Sequence, residues 1–155
     1  MENSRTTMPE RLLSRSTRLL PVVAMTVLLA ACNSMGTAIE PVGKVSLSGA
    51  NEVPVVVSSA TGSGMIRVAS DHTVSGSIST TGIDGKAAHI HMAPKGSNGP
   101  VVVPLTKVAD GSWIVPEGAK LTDAQYASYV AGNMYVNVHS AANPAGEIRG
   151  QLLAN

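Results

Sequence analysis

The sequence predicts an all-β fold: a single antiparallel β-sandwich, Greek-key-like, with one short helix, preceded by a cleaved signal peptide. Three observations lead there. Short runs rich in Val, Ile, Thr and Ser recur between residues 45 and 152, with Gly, Pro, Asn and Asp between them, a spacing that suits a sandwich or barrel better than βαβ units. Phe is absent and aromatic residues make up 3%, so the core must come from Val, Ile, Leu, Ala and Met, and the Val/Thr/Ser/Gly emphasis favours strands. The apolar run near the amino terminus is shorter than the roughly 20 residues a membrane span needs.

That run defines the first segment, residues 1–31. Arg5, Arg11, Arg15 and Arg18 precede an uncharged stretch from Leu19 to Ala31, broken near its start by Pro21, which is the basic-then-apolar order of a secretory signal. Leu29-Ala30-Ala31-Cys32 resembles a lipobox, which implies lipidation of Cys32 and cleavage before it; an ordinary signal peptide with an incidental Cys is the competing reading. The n-region is long from Met1, and Met8 is an alternative start. Asn33 stands where Asp, in the enterobacterial sorting rule, would retain a lipoprotein in the inner membrane. The expected location is therefore the cell envelope, anchored by lipid in the outer membrane and facing the periplasm or the cell surface. Cys32 is the only cysteine, so the exported part forms no internal disulfide and relies on packing.

Residues 32–43 read as the lipidated Cys and a short tether, small, polar and interrupted by Pro41. The domain then spans 44–155. Its expected strands are Val45 to Ser48, Glu52 to Val57, Gly64 to Ala69, Val74 to Thr80, Ala87 to Met92, Val101 to Thr106, Ser112 to Val115, Met134 to His139 and Gly146 to Leu152. Ser70-Asp71-His72-Thr73 reads as a hairpin turn in which Asp71 bonds nearby backbone, with His72 a turn residue. Thr122 and Gln125 form a capping box for a helix running to Ala131, stopped by Gly132-Asn133, whose Tyr126, Tyr129 and Val130 fall on one face. Gly82 to Gly85 and Gly96 to Gly99 read as loops, since neither precedes a helix as a phosphate loop would.

A net charge of +1, with no basic run beyond the leader, gives no electrostatic footprint for nucleic acid. No Gly-x-Ser-x-Gly elbow and no paired-carboxylate motif is present. The chemistry that remains is imidazole. In Ala88-His89-Ile90-His91-Met92 the period of two puts both histidines on one face, opposite Ile90 and Met92. In the last two strands it sends Val136, Val138, Ile148 and Leu152 inward and leaves Tyr135, Asn137, His139, Glu147, Arg149 and Gln151 outward. If the first of these strands lies beside the other two, His89, His91 and His139 offer three nitrogens, with Glu147 as a fourth ligand or supporting group, a set that suits copper or zinc. The competing reading is a polar sheet face whose imidazoles bond to Asn137, Tyr135 or water.

Leu47-Ser48-Gly49-Ala50-Asn51-Glu52-Val53-Pro54, Ala88-His89-Ile90-His91, Gly99-Pro100-Val101-Val102, Tyr135-Val136-Asn137-Val138-His139 and Pro144-Ala145-Gly146-Glu147-Ile148-Arg149-Gly150-Gln151-Leu152 together resemble the CHRD domain, named for chordin, an animal extracellular antagonist of bone morphogenetic proteins, and found also in microbial proteins. The resemblance implies a β-sandwich-like extracytoplasmic module and adds weight to His89, His91 and His139. Growth-factor antagonism does not follow from it. A fainter similarity is to copper-zinc superoxide dismutase, but the exported part lacks that enzyme's disulfide and has too few histidines for a dinuclear site. The sequence thus predicts an exported, lipid-anchored binding module that holds copper or zinc. A structural or adhesion lipoprotein without metal and a copper-dependent redox enzyme are the alternatives.

Overall fold

The computed structural model describes residues 42–154. The expected signal peptide, Cys32 and the expected tether up to Pro41 lie outside the described residues. Nine antiparallel strands follow: β1 (Val42–Ser48), β2 (Thr61–Val68), β3 (Val74–Thr81), β4 (Gly85–Met92), β5 (Val101–Pro104), β6 (Thr106–Ala109), β7 (Ser112–Ile114), β8 (Met134–Ser140) and β9 (Ile148–Leu152), with one α-helix, α1 (Asp123–Val130), among the described residues. The all-β antiparallel class is as the sequence predicts.

All nine strands form one sheet in the order β5-β4-β8-β9-β1-β2-β3-β7-β6. The two strands at its ends are consecutive in the chain, separated only by Leu105, whose N–H bonds the Ala88 carbonyl of β4 at 2.8 Å. The sheet therefore rolls back on itself into a nearly closed barrel, and its opposed walls supply the two layers expected of a sandwich. Within it, Val45, Leu47, Ile66, Val68, Ile78, Ile90, Trp113, Met134, Val136, Val138, Ile148 and Leu152 form one buried aliphatic cluster around the single Trp. Burying each of the larger aliphatic side chains contributes about 1.5–3 kcal/mol.

Several local expectations change. Glu52 to Val57 is not a strand. After Ser48 the chain makes a 3-10 turn over Gly49–Asn51, with the Glu52 and Val56 N–H groups both bonding the Gly49 carbonyl, and passes through a cis Val53–Pro54 peptide. A run whose N–H groups donate to one carbonyl cannot also give them to a ladder. The single strand expected from Val101 to Thr106 is two, because Leu105 turns the chain from the β4 edge to β7. The hairpin at 70–73 forms as read, with Asp71 Oδ1 accepting from the Thr73 N–H at 3.0 Å. His72 takes φ +71° there and stacks on Tyr126, ring centroids 4.2 Å apart. The capping box at α1 is present in both directions. Tyr129 is fully buried and Tyr126 partly, but Val130 is 57% exposed and is not part of the covering face.

Candidate metal centre

The strand adjacency on which a site depends is present. β8 lies between β4 and β9, with His89 opposite Asn137, His91 opposite Tyr135, Ala87 opposite His139, and Asn137 opposite Arg149. His89 and His139 are therefore diagonal neighbours on one face, within reach of each other's rings. On the other face, Ala88, Ile90, Val136, Val138 and Ile148 enter the core. Alternation alone accounts for this division.

The imidazole face is not open to solvent, as an outward-facing reading implies. His91 is 8% exposed, and Tyr135, Asn137 and Arg149 are buried. Two segments cover it. The 93–100 loop supplies the Gly99 carbonyl, 2.9 Å from His91 Nδ1, and the Gly99 N–H, which donates to the Tyr135 hydroxyl at 3.2 Å. The 52–58 segment supplies Glu52, which accepts from Asn137 Nδ2 at 3.1 Å and pairs with Arg149 at 3.2 Å. Asn98 Nδ2 donates to the Val53 carbonyl at 2.9 Å, tying one cover to the other. Glycine is required at two of these contacts. A Cβ at Gly99 would sit 1.9 Å from the Met92 carbonyl oxygen, and one at Gly146, where φ is +135°, would strike Asn137 and Glu52.

Within this enclosure one nitrogen from each of His89, His91 and His139 can be chosen so that all lie within 4.8 Å of one another. A copper or zinc ion bound at about 2.0–2.1 Å by three nitrogens holds them roughly 3.3–3.6 Å apart, so the widest pair must close by about 1 Å to come into bonding range. The tautomers are set by the partners. A carbonyl oxygen can only accept, so His91 Nδ1 carries its proton toward Gly99, and His139 Nδ1 carries its own toward the Pro144 carbonyl at 3.0 Å. Both Nε2 lone pairs are then presented to the cluster. His139 Nε2 accepts from His89 Nδ1 at 2.9 Å, whereas His91 Nε2 is buried with no partner among the described residues. An unpartnered buried acceptor costs about 1–3 kcal/mol, a cost that a cation at this point would remove. Imidazole bonded through one nitrogen to a backbone carbonyl, leaving the other for a metal, is the ordinary arrangement of ligating histidine.

The environment keeps the three rings neutral. Burial lowers the His89 pKa, and His139 and His91 add to this. Burial lowers that of His91 against the opposing bond to Gly99, and that of His139 against the bond to Pro144; Arg149 reinforces both. Neutral rings are the form that binds metal. Arg149 acts through a stack: its guanidinium lies 4.0 Å from the Tyr135 ring centroid, and Tyr135 lies parallel to His91 at 4.8 Å.

Glu147 is not a member of the histidine group. Its Oε1 accepts from the Ser58 hydroxyl at 2.7 Å, and hydrogen bonds from Ser140, Ser58 and Asn143 hold its carboxyl below the usual carboxylate range. It pins the 52–58 segment to the 141–147 connection that carries the Pro144 carbonyl, so it supports His139 at one remove. Glu52, Gly99 and Arg149 matter more to the centre than their place in the sequence reading indicates. Glu52 is a lone acid in an apolar run and Arg149 a lone base between buried residues, and either could have marked a covered polar layer.

A profile of the CHRD domain matches residues 44–152. No curated protein and no solved structure matches the chain. The match takes in every strand described above from Lys44 to Leu152, including all three clustered histidines, and the chain belongs to the CHRD domain family.

Proposed function

We propose that this CHRD domain is a metal-binding module, holding one copper or zinc ion through His89, His91 and His139, on a chain that the Leu29-Ala30-Ala31-Cys32 sequence exports and anchors by lipid to the cell envelope. The observation that carries the metal reading is the pair of Nε2 lone pairs on His91 and His139, each aimed inward by an Nδ1 bond to a backbone carbonyl, one of them buried without a partner. Three neutral nitrogens suit copper and zinc, with copper the tighter by the usual order of divalent ions, and do not suit calcium or magnesium, which require oxygen. Cys32 is the basis of the anchor and plays no part in the centre.

Calorimetric titration of the chain from Asn33 onward with copper and with zinc tests this. One ion per chain is expected, with affinity falling as the pH is lowered and the imidazoles protonate. His89→Ala with His91→Ala is expected to weaken binding by at least about a hundredfold while circular dichroism still reports an intact sheet, since two of three ligands are lost. Absence of one-to-one binding in the unsubstituted chain overturns the proposal.

A further inference from the structure

Roughly across the ring from the histidine-bearing β4 and β8, the strands β1, β2, β3 and β7 present a face of another kind. None of the four contains Asp or Glu. Alternation sends Val45, Ile66, Ile78 and Trp113 into the core and so turns Lys44, Met65, Ser77 and Ile114 outward. These four form one row, since Lys44 is opposite Met65, Met65 opposite Ser77 and Ser77 opposite Ile114. Counting on from Ser48 opposite Arg149 brings Leu153 level with Lys44 at one end of the row, and Arg67 is the next outward residue of β2. Met65 is 51%, Ile114 38% and Leu153 59% exposed. Lys44 and Arg67 are exposed and have no ion pair among the described residues. Apolar groups standing in water beside unanswered cations are what an interfacial membrane surface presents, the first for the acyl boundary and the second for anionic headgroups.

Where the chain enters the barrel selects the occupant. β1 begins at Val42, opposite Arg67 and two residues before Lys44, and only residues 33–41 separate it from Cys32. That stretch reaches at most about 35 Å, so a lipid on Cys32 keeps this end of the barrel beside the bilayer. Asp71, in the hairpin that joins β2 to β3 at the same end, accepts from Thr73 and lies in the field of Lys120. We propose that the row from Leu153 to Ile114, with Lys44 and Arg67, is a membrane-contact surface laid on anionic phospholipid headgroups, and that it turns the histidine centre away from the bilayer. This rests on the reading of Cys32 as a lipid anchor. A second copy of the chain is the poorer occupant, because packing face to face gives Lys44 and Arg67 no acid to meet.

The test uses the chain from Cys32 onward, which keeps the whole barrel and its core, with metal removed by chelation. Its only thiol is coupled either to maleimide lipid in vesicles or to a small soluble maleimide, so the anchor is supplied chemically. Hydroxyl-radical footprinting read by mass spectrometry then reports which side chains water reaches. On vesicles of phosphatidylcholine with phosphatidylglycerol, oxidation of Met65 is expected to fall at least about threefold from its soluble rate, as its side chain enters the headgroup boundary. Ile114 and Leu153 are expected to fall with it, while Val55 and Val57, exposed beyond the far end of β1, keep their soluble rates. Lys44→Gln with Arg67→Gln, two exposed changes that leave the core untouched, is expected to return most of the lost oxidation. Unchanged Met65 oxidation on the vesicles, protection of Val55 and Val57 in its place, or protection indifferent to the two cations each overturns the proposal. So does protection already present in the soluble form and lost on dilution, the mark of a second copy. The anchor fails separately: a chain recovered from the cell envelope without a diacylglyceryl group on Cys32, by intact mass, overturns that reading and not the footprint.

Discussion

The strands β4, β8 and β9 bury side chains on both faces, and the two buried regions are made of different chemistry. Inward lie Ala88, Ile90, Val136, Val138, Ile148 and Leu152; outward, under the 93–100 loop and the 52–58 segment, lie His91, Tyr135, Asn137, Arg149 and Glu52. Inside, dryness is the source of stability, because apolar surface leaves water at no polar cost. Outside, dryness is a cost at nearly every residue: burial pushes the Glu52 carboxyl up even with Arg149 beside it and pushes all three clustered imidazoles down. Replacing a buried ion pair by well-packed apolar groups is often neutral or stabilising. A polar layer kept under cover at such cost is therefore explained better by what it binds than by what it stabilises.

That contrast can be broken most sharply at Glu52. Glu52→Ala strands the Arg149 guanidinium and leaves Asn137 Nδ2 without its acceptor, and it is expected to destabilise the fold by about 3–5 kcal/mol in a denaturant titration, the cost of uncovering one partner of a buried pair. A loss below about 1 kcal/mol, the range of surface ion pairs, would show that the outer layer is wet and the contrast with the core false. A smaller effect comes from pH. The folded pKa values of His89, His91 and His139 lie below the ordinary 6.5, so below that pH the unfolded chain takes up protons that the folded chain refuses. The contribution of these rings is fully present above pH 6.5 and is lost as the pH falls toward the folded values. Unfolding midpoints measured from pH 7.5 down to 5 are expected to decline, and the decline is expected to flatten in a chain carrying His89→Gln, His91→Gln and His139→Gln. The smallest effect lies away from both regions: Thr122→Ala removes the reciprocal cap of α1 and is expected to cost about 1 kcal/mol. That value calibrates an ordinary exposed hydrogen bond against the two buried layers.

What the sequence made legible follows from periodicity. Alternation in Ala88-His89-Ile90-His91 and in Tyr135-Val136-Asn137-Val138-His139 was enough to put three histidines on one side of the sheet, and the Thr122/Gln125 pair was enough to start the helix where it starts. Alternation says which face a side chain takes and is silent on what lies over that face. The covers come from stretches with no period at all, Gly96 to Gly99 and Glu52 to Ser58, the first of which reads as a plain loop and the second as a strand. The loop reading of the first holds and the strand reading of the second does not, and the covering role of both is hidden for one reason. The Gly99 N–H and the Glu52 carboxyl act on residues tens of positions away, and no local pattern encodes such a contact. Glu147 was assigned to the metal for its place beside β9, whereas its bond to Ser58, 89 residues distant in the chain, was invisible.

The junction at Leu105 also decides how this molecule meets its neighbours. An open sheet advertises a row of unpaired amides that another chain can extend. Here the end strands follow one another directly, β4 is paired along both sides, and the edges left unpaired among the described residues belong to two four-residue strands, β5, which finishes in Pro104, and β6. Proline has no amide proton to lend to a ladder. Copies of this domain crowded together thus find only two short edges on which to add a strand, one of them stopped by proline, and a peptide seeking to bind by β-augmentation is confined to the same few residues.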